Sequence, residues 1–342
     1  MGDSQVRADH VFVAALEIIG QDGQVGLGFI QNLFFPLPDQ VEIERIFLAE
    51  VWPSLEGRSA LALTQQVVRP RGGNIRNASI NFSEAIQVAL WDLAAKQAGM
   101  PLWKMLGGTR NTVPAYASGL DFHLDDDAFC ALFESAQSQG YKAFKIKVGH
   151  EDFARDLHRL DLLRRCVGSD ATVMIDANEA WSPKEAITKV KAMVAAGHEL
   201  LWVEDPILRF DFEGLKLLRS ALPETQINAG EYLGVGEKRA LLNADAADLL
   251  NVHAYVTDVM HIGWLAAEMG VPVTLGNTFL EVGVHMAVAL PNVDWIEYSF
   301  QNFDHLVDEP IKIVDGMAVA PDRPGHGLIL SDEVRTMAKQ KI

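Results

Sequence analysis

Cysteine is nearly missing from this chain: two in 342 residues, Cys130 and Cys166, with no CxxC spacing and no Cys/His cluster. A disulfide framework and a structural zinc site are thereby excluded as the source of stability, and the two thiols are expected to be reduced and buried in a cytoplasmic protein. Long apolar runs are missing too. No stretch approaches 18 uncharged apolar residues, and Met1-Gly2-Asp3-Ser4-Gln5-Val6 carries neither a signal-peptide core nor a myristoylation pattern, so no membrane partner is expected. Basic charge is scarce: 29 Lys and Arg stand against 46 Asp and Glu, a net charge of −17. Nucleic acid and anionic membrane surfaces, which need clustered cations, are excluded as partners. A glycine-rich phosphate turn is also lacking, since Gly26-Leu27-Gly28 has no third glycine and sits in a hairpin pattern. The acidic balance poses a question of its own: a small anionic substrate would be repelled unless cations are concentrated locally.

What is present suffices for a large core, with 49% of residues hydrophobic. The length fits two domains, or one barrel with an appendage. Val11 to Phe29 alternates around Gln21-Asp22-Gly23, a hairpin signal. Helical patterning follows from Asp39 to Val68, broken near Trp52-Pro53, and again from Asn81 to Ala98, with Ser83 expected as its cap and Gly99 as its stop. Residues 1–112 therefore read as an α+β capping domain. Eight short apolar runs then alternate with helical segments: Val113–Ser118, Ala143–Val148, Thr172–Asn178, Leu200–Asp205, Gln226–Glu231, Leu249–Ala254, Val271–Asn277 and Trp295–Ser299. Eight such units predict an α/β fold, a closed (β/α)8 TIM-type barrel over 113–309, with 310–342 returning to complete the cap.

In such a barrel the polar residues at the strand C-termini face the active site. Those ends supply Lys145 and Lys147, then Asp176, Glu204, Glu231, His253, Asn277 and Glu297. A single strand-end acid often does no more than cap the next helix. Asp176, Glu204 and Glu231, each closing an apolar strand one βα unit apart, would repel one another without a cation among them, and hard oxygen ligands favour Mg2+. Lys145 and Lys147, two apart on one strand, point to the same side. Their mutual repulsion and burial are expected to lower their pKa values, which makes one of them a usable base. A metal facing a lysine pair suits removal of the proton α to a carboxylate. A positioned base contributes about 10²–10⁴-fold, so the metal is expected to carry much of the remaining stabilisation of the enediolate.

These residues in this order resemble the enolase superfamily, and within it the mandelate racemase/muconate lactonizing enzyme subgroup. The likeness runs through Ala89-Leu90-Trp91-Asp92-Leu93-Ala94-Ala95-Lys96, Gly99-Met100-Pro101-Leu102, Leu106-Gly107-Gly108, Lys145-Ile146-Lys147, Ile175-Asp176-Ala177-Asn178, Val203-Glu204-Asp205-Pro206, Ala229-Gly230-Glu231 and Pro321-Asp322-Arg323-Pro324-Gly325-His326-Gly327. The Lys base with Mg2+ is the superfamily's known chemistry. The resemblance implies Asp176, Glu204 and Glu231 as Mg2+ ligands, Lys147 as base, and Lys145 as the contact to the substrate carboxylate. It also implies a homo-oligomer, dimer or octamer.

The departures bear on specificity. Members of the subgroup carry a Lys at the end of the sixth strand, or an Asp there that orients a His after the seventh. Here the sixth run ends in His253 and the seventh in Leu275-Gly276-Asn277-Thr278, so the usual dyad is missing. His253 reads either as an alternative acid/base or as a hydrogen-bonded strand-end histidine. Glu297 occupies the place of a glutamate near the substrate in relatives. Thr278-Phe279-Leu280-Glu281 is similar to the cycloisomerases. Asn178, Asn277, Glu281 and Arg71 stand as candidates for substrate contact, although Arg69, Arg71 and Arg76 equally fit a solvated basic loop. Relatives begin with an additional strand and a mobile loop. Here the hairpin comes almost at once, and Phe29 to Pro38 is expected to take part of the lid's role. The function expected is dehydration of a small-molecule carboxylate such as a sugar acid. Racemisation, epimerisation and lactone cycloisomerisation are the alternatives, with a non-catalytic metal-binding protein as a distant one.

Overall fold

The computed structural model describes residues 2–4, 7, 10–32, 36–66, 80–253, 255–300 and 303–339. The opening hairpin pairs β1 (Phe12–Ile19) with β2 (Val25–Asn32) in antiparallel register. Its Asp22-Gly23 turn uses a left-handed glycine, φ 80°. Two short helices follow, α1 (Gln40–Ile46) and α2 (Ala60–Thr64), joined by a π turn over Phe47–Val51 and a 3-10 turn at Trp52–Ser54 where proline breaks the ladder. The long α3 (Ser83–Gln97) lies across the hairpin. Ser83 is its first helical residue rather than its cap: the Asn81 Oδ1 accepts the Ser83 backbone N–H at 3.1 Å instead. Gly26 and Gly28 are required for this crossing, because a Cβ on either would collide with the Ala89 or Ala85 carbonyl of α3. The GxG thus serves close backbone packing.

After α4 (Leu102–Met105) the chain enters the barrel. Its strands are β3 (Thr112–Ser118), β4 (Ala143–Lys147), β5 (Thr172–Asp176), β6 (Trp202–Glu204), β7 (Gln226–Ala229), β8 (Leu249–Val252), β9 (Val273–Leu275) and β10 (Val293–Ser299). Neighbours pair in parallel in that order, and β10 pairs back onto β3, closing the ring. The helices between them are α5 (Asp126–Ser138), α6 (Phe153–Val167), α7 (Pro183–Ala195), α8 (Phe212–Ala221), α9 (Val235–Asn243), α10 (Val256–Glu268) and α11 (Val284–Ala289). All eight strands fall within or beside the apolar runs. Most end a residue or two earlier, because the polar residues that close the runs lie in the loops of the mouth.

Cys130 on α5 and Cys166 on α6 form a disulfide, and both are partly buried. This corrects the expectation of two reduced, buried thiols. Their sequence separation of 36 is about one βα repeat, so the two helices are neighbours on the barrel's outer surface.

The C-terminal residues fold back. A hairpin of β11 (Lys312–Val314) and β12 (Met317–Val319) pairs antiparallel with β3, and α12 (Asp332–Lys339) ends the described chain. Asp92 of α3, fully buried, accepts the backbone N–H groups of Leu27 (2.9 Å) and His326 (2.8 Å) and the Lys96 ammonium (2.7 Å). His326 Nδ1 accepts the Leu328 N–H, so its Nε2 carries the proton and donates to the Leu27 carbonyl at 2.9 Å. His285 lies beside it, against the His326 carbonyl.

Burial lowers both histidines below the ordinary value of 6.5, His285 to about 3. The unfolded chain therefore binds protons that the folded one refuses, and stability is lost as pH falls below about 6.5. His285 is expected to shift the folding equilibrium by roughly tenfold per pH unit in that window, and His326 acts in the same direction. Urea titrations between pH 7 and 5 check this: His285→Gln should flatten the slope by its share, and an unchanged slope would remove His285 from the account.

Candidate active site

All eight strands point their C-terminal ends to one mouth. Deep in the barrel, Tyr116, Met174, Trp202 and Leu249 form an apolar plug. Above it the inward positions turn polar. The Thr274 hydroxyl donates to Asn228 Oδ1 (3.1 Å), and the Asn228 amide donates to Glu204 Oε2 (3.1 Å).

On that layer rests a dense ion cluster. Lys145 Nζ lies 2.7 Å from Glu204 Oε1, 3.1 Å from Glu297 Oε1 and 3.7 Å from Asp176 Oδ2. Lys147 Nζ lies 2.5 Å from Asp176 Oδ2. Asp176 ends β5 and Glu204 ends β6, while Glu231 stands two residues past β7, beyond Gly230 at φ 114°. All are buried.

The lysine pair does not show the lowered pKa values expected from mutual repulsion. Burial, the largest influence, does pull both ammonium groups down. The facing carboxylates outweigh it, chiefly Glu204 and Glu297 for Lys145 and Asp176 for Lys147, and hold both above their ordinary value. The strand pattern gave the shared direction of the two side chains but not what they point at. Glu297 is pushed up by burial and pulled down by Lys145 and Lys147, and settles at about 2. Burial raises Glu204 well above the carboxylate range, and its acidic neighbours add to this against Lys145.

This donor set fits a divalent cation. Four buried carboxyl groups face two ammonium groups, so the acids outnumber the cations, and each carboxyl offers hard oxygen donors. The oxygens of Asp176, Glu204 and Glu231 do not all gather within 4.8 Å of one another; among the described residues the Cys/His/Asp/Glu trio that does is Cys130, Glu134 and Cys166, whose sulfurs are bonded to each other. Lys145 lies among the strand-end acids and pairs with three of them, Asp176, Glu204 and Glu297.

The other candidates surround the cluster. The Asn178 backbone N–H donates to Asp176 Oδ1 (2.9 Å), and its Oδ1 is buried without a partner. The Asn277 N–H donates to Glu297 Oε2 (3.0 Å). His253 sits past β8 with its Nδ1 buried and unpartnered, its ring 6.0 Å from that of Tyr232, and Glu84 of α3 faces it from the cap. Glu281 is buried in the loop after β9. Phe29, from the proposed lid segment, packs on Phe279 of that loop at 5.0 Å. Arg69, Arg71 and Arg76, and Leu33 to Phe35 of the same lid segment, lie outside the described residues.

Several contributors went unread in the sequence. Asp121, fully buried and paired with Arg159 at 2.7 Å, accepts the Lys147 backbone N–H at 3.2 Å and so helps fix the strand end. Asn228 and Asn251 were detectable as polar residues inside otherwise apolar strands. Both amide atoms of Asn251 are buried without partners. Of the non-glycine residues with left-handed backbone, Asn178, Glu179, Asp205, Leu280 and Glu281 all lie in loops of the mouth. Such conformations cost about 1–3 kcal/mol each and gather where function fixes side chains.

Comparison with known proteins agrees with this frame. Residues 7–107 match the family model "Mandelate racemase / muconate lactonizing enzyme, N-terminal domain", and residues 129–334 match "Enolase C-terminal domain-like". The chain belongs to the enolase superfamily, in its mandelate racemase/muconate lactonizing enzyme subgroup. It is similar to the L-talarate/galactarate dehydratase of Salmonella typhimurium (30% identity, 95% of this chain and 82% of that protein). It is also similar to the L-Ala-D/L-Glu epimerase of Bacillus subtilis (29% identity, 92% and 88%). Among solved structures, a protein from Mesorhizobium loti provisionally named a mandelate racemase is 66% identical, covering 98% of this chain and 89% of that one at a TM-score of 0.94. An L-talarate dehydratase from Polaromonas sp. JS666, in complex with Mg and L-glucarate, is 30% identical over 95% and 91%, at a TM-score of 0.73. No helix among the described residues is long and apolar enough to cross a membrane.

Proposed function

We propose that the protein is a Mg2+-dependent lyase that removes the proton α to the carboxylate of a hydroxy acid, a sugar acid or a close relative, and expels the β-hydroxyl as water. The observation that carries this reading is the buried cluster itself, in which Lys145 and Lys147 meet Asp176, Glu204 and Glu297 at one end of the barrel. In this reading Asp176, Glu204 and Glu231 hold the metal. When bound, Mg2+ would supply positive charge against the substrate carboxylate, where negative charge builds up as the α-proton leaves.

The chain's own residues do the rest. Lys147 Nζ, which the Asp176 carboxylate holds protonated in this structure, must first release that proton and then accept the α-proton, while the Lys145 ammonium, fixed by its carboxylate neighbours, holds the substrate carboxylate. The apolar plug below keeps water from the barrel side, and the Phe29–Phe279 contact packs the cap against the loop after β9. Its dehydratase relatives and the Mg- and glucarate-bound Polaromonas structure support the choice of substrate class.

Epimerisation is the second reading. It needs an acid/base across from Lys147, and the unpartnered Nδ1 of His253 is the observation in its favour. A library of sugar acids incubated in D2O with Mg2+ separates the two. A 2-keto acid that reacts with semicarbazide is expected; deuterated starting acid without keto product would instead establish the epimerase. Neither keto product nor exchange across the library would overturn both readings.

A further inference from the structure

The fold places the three candidate metal ligands in two different ways. Asp176 and Glu204 are the last residues of β5 and β6 and face each other in strand register. Glu231 has no such support. β7 ends at Ala229, and the chain passes through Gly230, at φ 114°, before it reaches Glu231. Its Oε1 lies 3.5 Å from where a Cβ on Gly276 would stand, one residue past β9. Something other than sheet pairing must hold the Glu231 main chain.

Lys238 of α9 supplies that hold. Only 3% exposed, its ammonium donates to the Glu231 carbonyl at 3.1 Å and to the Leu233 carbonyl at 2.5 Å. The Leu233 N–H donates to the Gly230 carbonyl at 3.1 Å and closes the turn. We propose, resting on the assignment of Asp176, Glu204 and Glu231 to the metal, that Lys238 is a positioning residue of the metal site: it clamps the two carbonyls and so fixes the turn that carries Glu231.

The place is an unfavourable one for a lysine. A buried ammonium loses its hydration. Lys238 also lies at the first turn of α9, where the helix dipole favours acids over bases. The Glu237 carboxylate beside it in sequence is taken by the Gly234 N–H at 2.6 Å. An apolar side chain of similar length would fill this space without those costs, so the donors are what the position requires.

The other tie on the turn is weaker. Arg209, held by the Glu179 carboxylate through bonds of 2.7 and 2.6 Å, lies 4.9 Å over the ring of Tyr232, which is 60% exposed. That contact restrains an exposed side chain, whereas Lys238 restrains the Glu231 peptide itself. With the peptide fixed, only the Glu231 side-chain torsions remain to adjust when a cation binds. Groups behind a ligand raise metal affinity in this way.

The test is calorimetric titration of the whole chain with Mg2+, each variant first shown to be folded by near-UV circular dichroism. Losing Lys238 has two effects of opposite sign. Removing a positive charge beside Glu231 would by itself tighten Mg2+ binding, while releasing the turn weakens it. Lys238→Met keeps the length of the side chain without its donors and is expected to bind Mg2+ about 10- to 100-fold more weakly. Lys238→Gln keeps an amide donor on a shorter stem. It should weaken binding by a smaller factor, and it decides the matter if the methionine variant does not fold. Affinity equal to or tighter than wild type in the folded variants would overturn the assignment. Glu231→Gln separates this outcome from failure of the ligand reading. A loss of about 100-fold there, with none in Lys238→Met, removes Lys238 alone. Wild-type affinity in Glu231→Gln takes Glu231 out of the ligand set, and the role of Lys238 falls with it.

Discussion

Replacing Lys147 with alanine is expected to lower α-proton exchange by about 10³-fold, within the 10²–10⁴ range of a positioned general base, or roughly 4 kcal/mol at 1.36 kcal/mol per decade. Mg2+ affinity is expected to hold or tighten. The lost ammonium is the one 2.5 Å from Asp176 Oδ2, so its removal frees that oxygen and adds a negative charge to the cluster. Lys147→Arg separates charge from basicity. Arginine keeps the ion pair with Asp176 but does not give up its proton, so exchange should fall as far as in the alanine variant. Proton NMR in D2O measures the exchange, and exchange within tenfold of wild type in either variant would sink Lys147 as base.

Glu204→Gln carries the second large effect, a loss of at least 100-fold in Mg2+ affinity by titration calorimetry. The carboxylate is the last residue of β6, anchored on one oxygen by Lys145 at 2.7 Å and on the other by Asn228 at 3.1 Å. Glutamine preserves the shape but removes the charge that a hard cation selects. Deleting one partner of a buried ion pair ordinarily costs about 3–5 kcal/mol of stability. Here Lys145 keeps Glu297 at 3.1 Å and Asp176 at 3.7 Å, so the cost should fall below that range and the variant should fold. Unchanged affinity would take Glu204 out of the ligand set.

The barrel was legible because a parallel strand covered on both faces reads as a short apolar run, and eight such runs with crossover lengths admit few architectures. The acids that close β5 and β6, and Glu231 just past β7, stood out as interruptions of those runs. What stayed hidden depends on angle and distance between strands far apart in sequence. Lys145 and Lys147 were readable as a pair on one face. Only the closed ring brings Glu204, 59 residues from Lys145, to its ammonium and reverses the expected pKa shift. Asp121 and Arg159 form their buried pair across 38 residues with no local motif to mark it. The disulfide went unread for the same reason: Cys130 and Cys166 become neighbours only once their helices pack side by side.

The buried Asp92 staple has a kinetic consequence. The cap is sealed by His326 and by the Arg335–Glu17 ion pair, contacts between residues about 300 positions apart, with the entire barrel between them. Loop closure over that span rewards the chain only after the barrel has brought its ends together. The hairpin and α3 emerge before the barrel during synthesis, yet they make these contacts only when His326 and Arg335 arrive. On the ribosome the cap would therefore be made before the barrel and reach its final packing after it.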